Sequence, residues 1–471
     1  MIAHTSQRWV PGTLMILGFL STCLVVRTAS AASSHWPQWR GPNGNGLASG
    51  NPPLEWSEEK NVKWKLDLPG QGHGTPVIWG DQLFVMAAVP TGKNVGPAPQ
   101  AGRRPLQVFA QQDPGQRRER PQRGGGQGGR GPGGRGGRAP TEEMAYTLFC
   151  IDRNDGRQIW SKVARTAVPH EGVQSANTYC SESAVTDGER VYASFNSQGI
   201  YCYDMQGELL WQKDIGQVPV TFGEASSPTL VGDALIVLQD NNRESYLYAF
   251  DKKTGKELWK KSRDEGSGWT TPYVLTHDGQ IQVVISGSNA IRSYDPKTGE
   301  LIWQCSGLGS NPVPMIVSDD TTVYAMSGHR QPMALAIALG RKGDLTGTDA
   351  VRWKTERGTP YVPSPLLYDG LLFFCQRTSG SISCLDATSG EPHFEQARLD
   401  ALSGVYASPV GLNDRIYLAG QNGATVVLAK SKELKVLATN KLNDGFDASP
   451  VVVGDHLYLR GRENLYCIAA Q

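Results

Sequence analysis

Adjacent cysteines, a C-x-x-C pair and the haem-attachment pattern C-x-x-C-H are all missing from this chain of 471 residues, although it has eight cysteines. A vicinal disulfide ring and covalently held haem are thereby excluded. The histidines show no H-x-H or H-E-x-x-H spacing, and no G-x-S-x-G turn offers a serine nucleophile. Metal-assisted or serine hydrolysis through those motifs has no carrier. A long membrane-spanning run is also missing: the apolar stretch from Thr13 to Val26 is short and closely followed by Arg27. Small residues Ala29 to Ala32 then offer an A-x-A cleavage site, so residues 1–32 read as a secretory signal peptide. The alternatives are an uncleaved anchor and lipidation at Cys23. Export sets the expected location as periplasm or cell envelope.

What the chain does have is repetition. Eight times an apolar strand meets a tight turn and a second apolar strand; the turns are Gly80-Asp81, Asp187-Gly188, Gly232-Asp233, Asp278-Gly279, Asp319-Asp320, Asp369-Gly370, Asn413-Asp414 and Gly454-Asp455. Successive Asp positions are 106, 46, 45, 41, 50, 45 and 41 residues apart. The long first gap holds a low-complexity insert over residues 90–141, with 14 Gly and 8 Pro among its 52 residues. Short strands at a period of about 40 to 50 residues predict a radial array, because one unit cannot bury its apolar face alone. The fold expected is all-β, an eight-bladed propeller of four-stranded antiparallel blades over residues 61–471, preceded by an N-terminal extension at 33–60.

Within a repeat, an Asp-containing turn leads to an aromatic at fixed distance. Asp152 to Trp160, Asp251 to Trp259, Asp295 to Trp303 and Asp386 to Phe394 are each eight apart. A large flat side chain at a fixed point of the outer strand suits packing on the neighbouring blade. The repeats near Ala336–Trp353 and Leu428–Leu437 lack parts of this pattern. Cys150, Cys202, Cys384 and Cys467 share one phase of the repeat, where Ala249 and Ser293 stand in other copies. That position wants a small buried side chain, and blade spacing is too wide for disulfides. The last repeat stops after its third strand, and Asn61–Leu66 looks like a displaced outer strand. It is expected to close the ring on the C-terminal blade, removing an open edge.

The phrase A-x-D-x-x-T-G-x-x-x-W, seen at Ala249–Trp259 and more loosely at Ser293–Trp303, resembles the tryptophan-docking repeat of the pyrroloquinoline quinone (PQQ) repeat, or quinoprotein dehydrogenase-like, superfamily. The same repeat occurs in cofactor-free exported PQQ-like proteins and in the propeller lipoproteins of outer-membrane assembly. The opening WPQWRGPNGNG at Trp36–Gly46 resembles the former group. For a catalytic member the resemblance implies quinone stacked between a Trp and a ring of two adjacent cysteines, Ca²⁺ held by Glu and Asn, and an Asp base. No residue set here matches those, so no cofactor is expected, with PQQ and Ca²⁺ as the alternative.

Ligands of such arrays are sought on the face bearing the second-to-third strand loops and the blade crossings. Candidates there are Asp240, Asn242, Arg243, His329, Arg330, Arg377, Gln421, Arg460 and Arg462. His73, in Gly72-His73-Gly74-Thr75-Pro76, is expected near the channel mouth. The insert projects from the same face; it carries ten Lys or Arg against two Asp or Glu, leaving the rest of the chain net negative. Its composition predicts disorder and its Arg-Gly repeats suit anionic envelope polymer or lipid, nucleic acid being an unexpected partner after export. The function expected is a monomeric, exported, non-enzymatic binding or scaffolding propeller whose loop face takes protein or envelope polymer, touching membrane only peripherally or through a lipid anchor. The alternative is a quinone-dependent oxidoreductase of alcohols or sugars.

Overall fold

Eight sheets succeed one another along the chain in the computed structural model, which describes Met1, residues 35–96 and residues 140–470. The leader and most of the insert lie outside the described residues. Blade 3 shows the unit: Thr229–Val231, Ala234–Gln239, Ser245–Asp251 and Glu257–Arg263 run antiparallel in that order. Its second strand is buried throughout, while its outer strand keeps only Arg263 buried. The eight-bladed wheel expected from the turn spacing is the fold observed.

The core lies between blades rather than within one. Tyr192 and Trp211 of blade 2, for example, pack with Leu235, Val237 and Phe250 of blade 3. Most outer-strand tryptophans then dock on the next blade. The Trp211 indole N–H donates to Lys252 O at 3.1 Å, Trp259 to Pro296 O at 3.0 Å and Trp353 to Ala387 O at 2.9 Å. Beneath each ring lies the glycine of the neighbour's Asp turn. A Cβ on Gly255 would come within 2.6 Å of the Trp211 ring, and its φ of +69° favours glycine as well. Aromatic burial plus a satisfied N–H makes each contact worth a few kcal/mol, about 2 or more.

Where the pattern is incomplete the docking changes. Blade 5 lacks the Asp turn, so Trp303 turns inward to donate to Gln282 Oε1 at 3.0 Å. Gly343–Asp344 from the long blade 5 connection instead pairs in parallel with Trp303 and Gln304. Ring closure is as the sequence indicated: Val62–Asp67 is the outer strand of blade 8, with Trp64 opposite Cys467 and Leu66 opposite Leu465. Trp64 also docks on blade 1, its N–H donating to Arg153 O at 3.0 Å above Gly156. The first blade's second and third strands, Gln82–Asn94 and Glu142–Asp152, are long, and pairing continues to Asn94 opposite Glu142. Strand thus extends four residues past the start of the low-complexity segment at Pro90, with a register shift between Pro90 and Asn94.

All seven described cysteines are buried free thiols. Burial pushes the four in the shared phase, Cys150, Cys202, Cys384 and Cys467, up to about 12. They act as small packing residues and are not nucleophilic at neutral pH.

Candidate functional site

Residues entering each first strand surround the channel. Thr75 N donates to Ser183 Oγ at 2.8 Å, Ser183 N to Ser227 Oγ at 2.9 Å and Ser227 N to Thr271 Oγ1 at 3.1 Å. Beyond a break the belt resumes, with Met315 N to Ser364 at 2.9 Å, Ser364 N to Ser408 at 2.9 Å, Ser408 N to Ser449 at 3.0 Å and Ser449 N to Thr75 at 3.2 Å. In seven of the eight blades the backbone here is satisfied by a hydroxyl of the next. The break falls where Met315 supplies no hydroxyl.

Side chains two positions earlier, together with neighbours, line a central cavity of about 150 Å³. The strand period of two explains why one sequence offset recurs around the ring. The offset supplies His73, Ser181, Ala225 and Trp269 from blades 1 to 4, then Val313, Val362, Tyr406 and Asp447 from blades 5 to 8. Phe222 and Tyr361 add aromatic wall, and Trp39 forms the floor.

Trp39 reaches the cavity from the opposite side because the N-terminal segment crosses that face. His35–Trp36 pairs with the first strand of blade 1, and Thr186 N of blade 2 donates to Pro37 O at 2.9 Å. The Arg40 guanidinium donates to Pro365 O of blade 6 at 2.6 Å, Ala48 N to Gly411 O of blade 7 at 2.9 Å, and Asn51 N to Asp455 of blade 8 at 2.9 Å. The WPQWRGPNGNG stretch is therefore a plug over the first-to-second-strand turns. Among the described residues, no such segment crosses the mouth bearing the other loops.

The structure divides the sequence candidates. Asp240 is buried, not on a solvated rim: Arg263 Nε and Nη2 bond its two oxygens at 2.8 and 3.0 Å. Arg460 is likewise buried and clamps blade 8 to blade 1, donating to Gly74 O at 2.7 Å and Met86 O at 2.6 Å. Both are held inward because a buried charge or donor must be matched within the sheet. His73, Gln421 and Arg462 converge on Asp447. Gln421 Nε2 donates to it at 2.6 Å, Arg462 Nε at 2.7 Å, and His73 Nε2 lies 3.3 Å away. Burial would raise the Asp447 carboxyl, but the Arg462 bond, the His73 charge and the Gln421 bond hold it below its ordinary value. Burial lowers His73, outweighing the pull of Asp447. Asn242 and Arg243 are exposed on the blade 3 loop, where Asn242 bonds Thr221 and Ser267. Arg330 and Arg377 are exposed on the blade 5 and blade 6 loops, with His329 partly buried between them and Tyr361.

The cavity's aromatic residues, the hydroxyl belt and a buried acid were not among the candidates. A Ser or Thr before proline recurs at Thr75, Ser227, Thr271, Ser364, Ser408 and Ser449, and would have marked both belt and lining. Beneath blades 2 and 3, Glu182 accepts from Asn196 Nδ2 at 2.6 Å with no cation paired to it among the described residues. Burial raises its carboxyl to about 7.

Eight blades, five of their junctions made by tryptophan docking, define a propeller of the PQQ-repeat superfamily. Residues 90–243, 146–396 and 243–471 match the family profile described as outer membrane protein assembly factor BamB, and the chain belongs to that family. It is 20% identical over 287 residues to outer membrane protein assembly factor BamB of Shewanella oneidensis, covering 60% of this chain and 66% of the relative. With BamB of Burkholderia pseudomallei it is 26% identical over 165 residues, covering 34% of this chain and 39% of the relative. The matches thus span less than two thirds of either relative. Among solved structures, quinohemoprotein alcohol dehydrogenase from Comamonas testosteroni superposes with TM-score 0.60 at 9% identity, covering 94% of this chain and 81% of the other. A europium-containing methanol dehydrogenase gives 0.56 at 10% identity, covering 93% and 98%. At such identities the structural likeness is one of fold.

Proposed function

We propose that this chain is an exported, non-enzymatic scaffold of the cell envelope that binds protein partners on its open loop face. The observation that carries this reading is the asymmetry of the channel. One mouth is stoppered by the chain's own N-terminal segment, while the other gathers loops of every blade around an aromatic-walled cavity. Concave sites with a few fixed polar groups favour recognition. Membership of a family named for outer membrane protein assembly supports an envelope role with protein partners.

A quinone enzyme would need Ca²⁺ ligands and a vicinal cysteine platform at this mouth. Asp447 is the one carboxylate among the described lining residues, and its oxygens are taken by Arg462, Gln421 and His73. None of the described lining residues is a cysteine. These residues do not suit that group. The test is photo-crosslinking in whole cells from a reactive side chain placed at Asn242 or Asn422 on the loop face, or at Leu258 or Leu301 on outer strands. Discrete protein adducts are expected from the loop-face sites alone; equal adducts from both sets, or none, would overturn the reading.

A further inference from the structure

The blade 5 and blade 6 sector of the open mouth brings two arginines together on loops of the same backbone conformation. Arg330 and Arg377 occupy corresponding second-to-third strand loops, both exposed and both in the left-handed region, with φ of 57° and 51°. Elsewhere, short polar side chains tolerate positive φ at Asp278, Asp369, Asn413 and Asp414 in first-to-second-strand hairpin turns and at Asn196 in the blade 2 loop, while Arg40, Thr221 and Gln396 also adopt it. The arginine side chain has no short polar group to offset this conformation, so each position is strained. Strain of this kind persists where the surroundings impose it. Here Arg377 N donates to Thr359 O at 3.0 Å and Tyr361 N to Arg377 O at 3.2 Å. Gly328, just before His329 and Arg330, lies against Pro360 O so closely that a Cβ would sit 2.3 Å from it. The three segments are stacked, and they aim two guanidinium groups at one rim.

Neither arginine has a carboxylate within ion-pair distance among the described residues, whereas Arg462 across the mouth is already matched by Asp447. Outside residues 90–141 the chain is net negative, so this pair runs against the general charge. The His329 ring is 5.1 Å from the Tyr361 ring, and Tyr361 and Tyr406 lead from the arginines into the cavity. Burial first, then the charges of Arg330 and Arg377, hold His329 below its ordinary value. This favours the uncharged imidazole and leaves the arginines as the cations of this sector.

Resting on the reading that this face binds protein, we propose that the sector docks an extended acidic peptide segment, with carboxylates on Arg330 and Arg377 and an adjacent aromatic side chain in the cavity beside Tyr361 and Tyr406. Paired guanidinium–carboxylate bonds supply orientation and the aromatic pocket supplies apolar burial.

The probe is a fluorescein-labelled peptide alternating Glu and Phe, titrated by anisotropy against the full chain at low and moderate salt. Saturable binding is expected, weakened about tenfold or more by Arg330→Gln with Arg377→Gln, and weakened similarly when Gln replaces Glu in the peptide. Arg341→Gln, on the long blade 5 connection, should change nothing, and an unchanged melting temperature shows that the double variant is folded. Removal of residues 97–139 should leave the affinity within twofold. Bound peptide should raise the His329 titration midpoint, read by NMR. Equal affinity in the double variant, equal binding of a Lys-Phe peptide, binding lost only with residues 97–139, or an unmoved His329 would each overturn the proposal. Crosslinks at Asn422 without acidic-peptide binding would sink this chemistry alone; absent crosslinks would sink the scaffold reading itself.

Discussion

Glu182 shows how much a single side chain adds to the behaviour of the ring. Its carboxyl is buried at the blade 2 and 3 boundary and raised to about 7, from an ordinary value near 4.5. A carboxyl whose pKa is raised by folding stabilises the native state fully below its unfolded pKa. That contribution is lost as pH rises through the folded value. The shift corresponds to roughly 3 kcal/mol, so the melting temperature should fall between about pH 4.5 and pH 7. Glu182→Gln keeps the Asn196 contact without the charge and should remove much of that slope, a comparison made by scanning calorimetry across the range. A variant with the undiminished slope would show that the carboxyl does not titrate there. None of this was visible beforehand, because Glu182 lies in a segment without motif and only the fold removes water from it.

Single elements explain both what the sequence disclosed and what it hid. The Asp turn, its glycine and the following tryptophan lie within about ten residues in every complete repeat, so their spacing survives as text and the blades could be counted. The latch was legible for the same reason: an outer strand without its own blade at Asn61–Leu66 and a blade without its outer strand at Leu465–Ile468. Deleting Trp56–Leu68 removes the fourth strand of blade 8, buried Trp56 and Trp64, and the docking on Gly156. It should abolish soluble folded protein, measured by recovery from the soluble fraction and by circular dichroism. Recovery of a chain with unchanged melting would contradict the latch. By contrast, Asp240 and Arg460 looked like rim residues because position in a loop says nothing of side-chain direction. Each turned inward to a partner distant in sequence, Arg263 for one and the blade 1 backbone for the other.

At the scale of the whole molecule, the decisive arrangement is a wheel stoppered on one side. Eight-fold repetition predicts a channel, but not which mouth is open, since the plug comes from outside the repeats and its contacts run to Thr186, Pro365, Gly411 and Asp455. The hydroxyl belt likewise joins residues about 45 positions apart, a separation at which only the recurring Ser/Thr-Pro signature leaves a trace. Together they assign the two faces different tasks, one for closure and one for recognition.

Hydrogen exchange of the full chain, with and without detergent-solubilised envelope proteins, tests that division most directly. Amides at 328–331, 376–380, 420–423 and 460–463 should gain protection, while the turns at 80–81, 232–233 and 454–455 keep their rates. Protection of those turns instead, or no change on either face, would contradict the assignment of recognition to the open mouth.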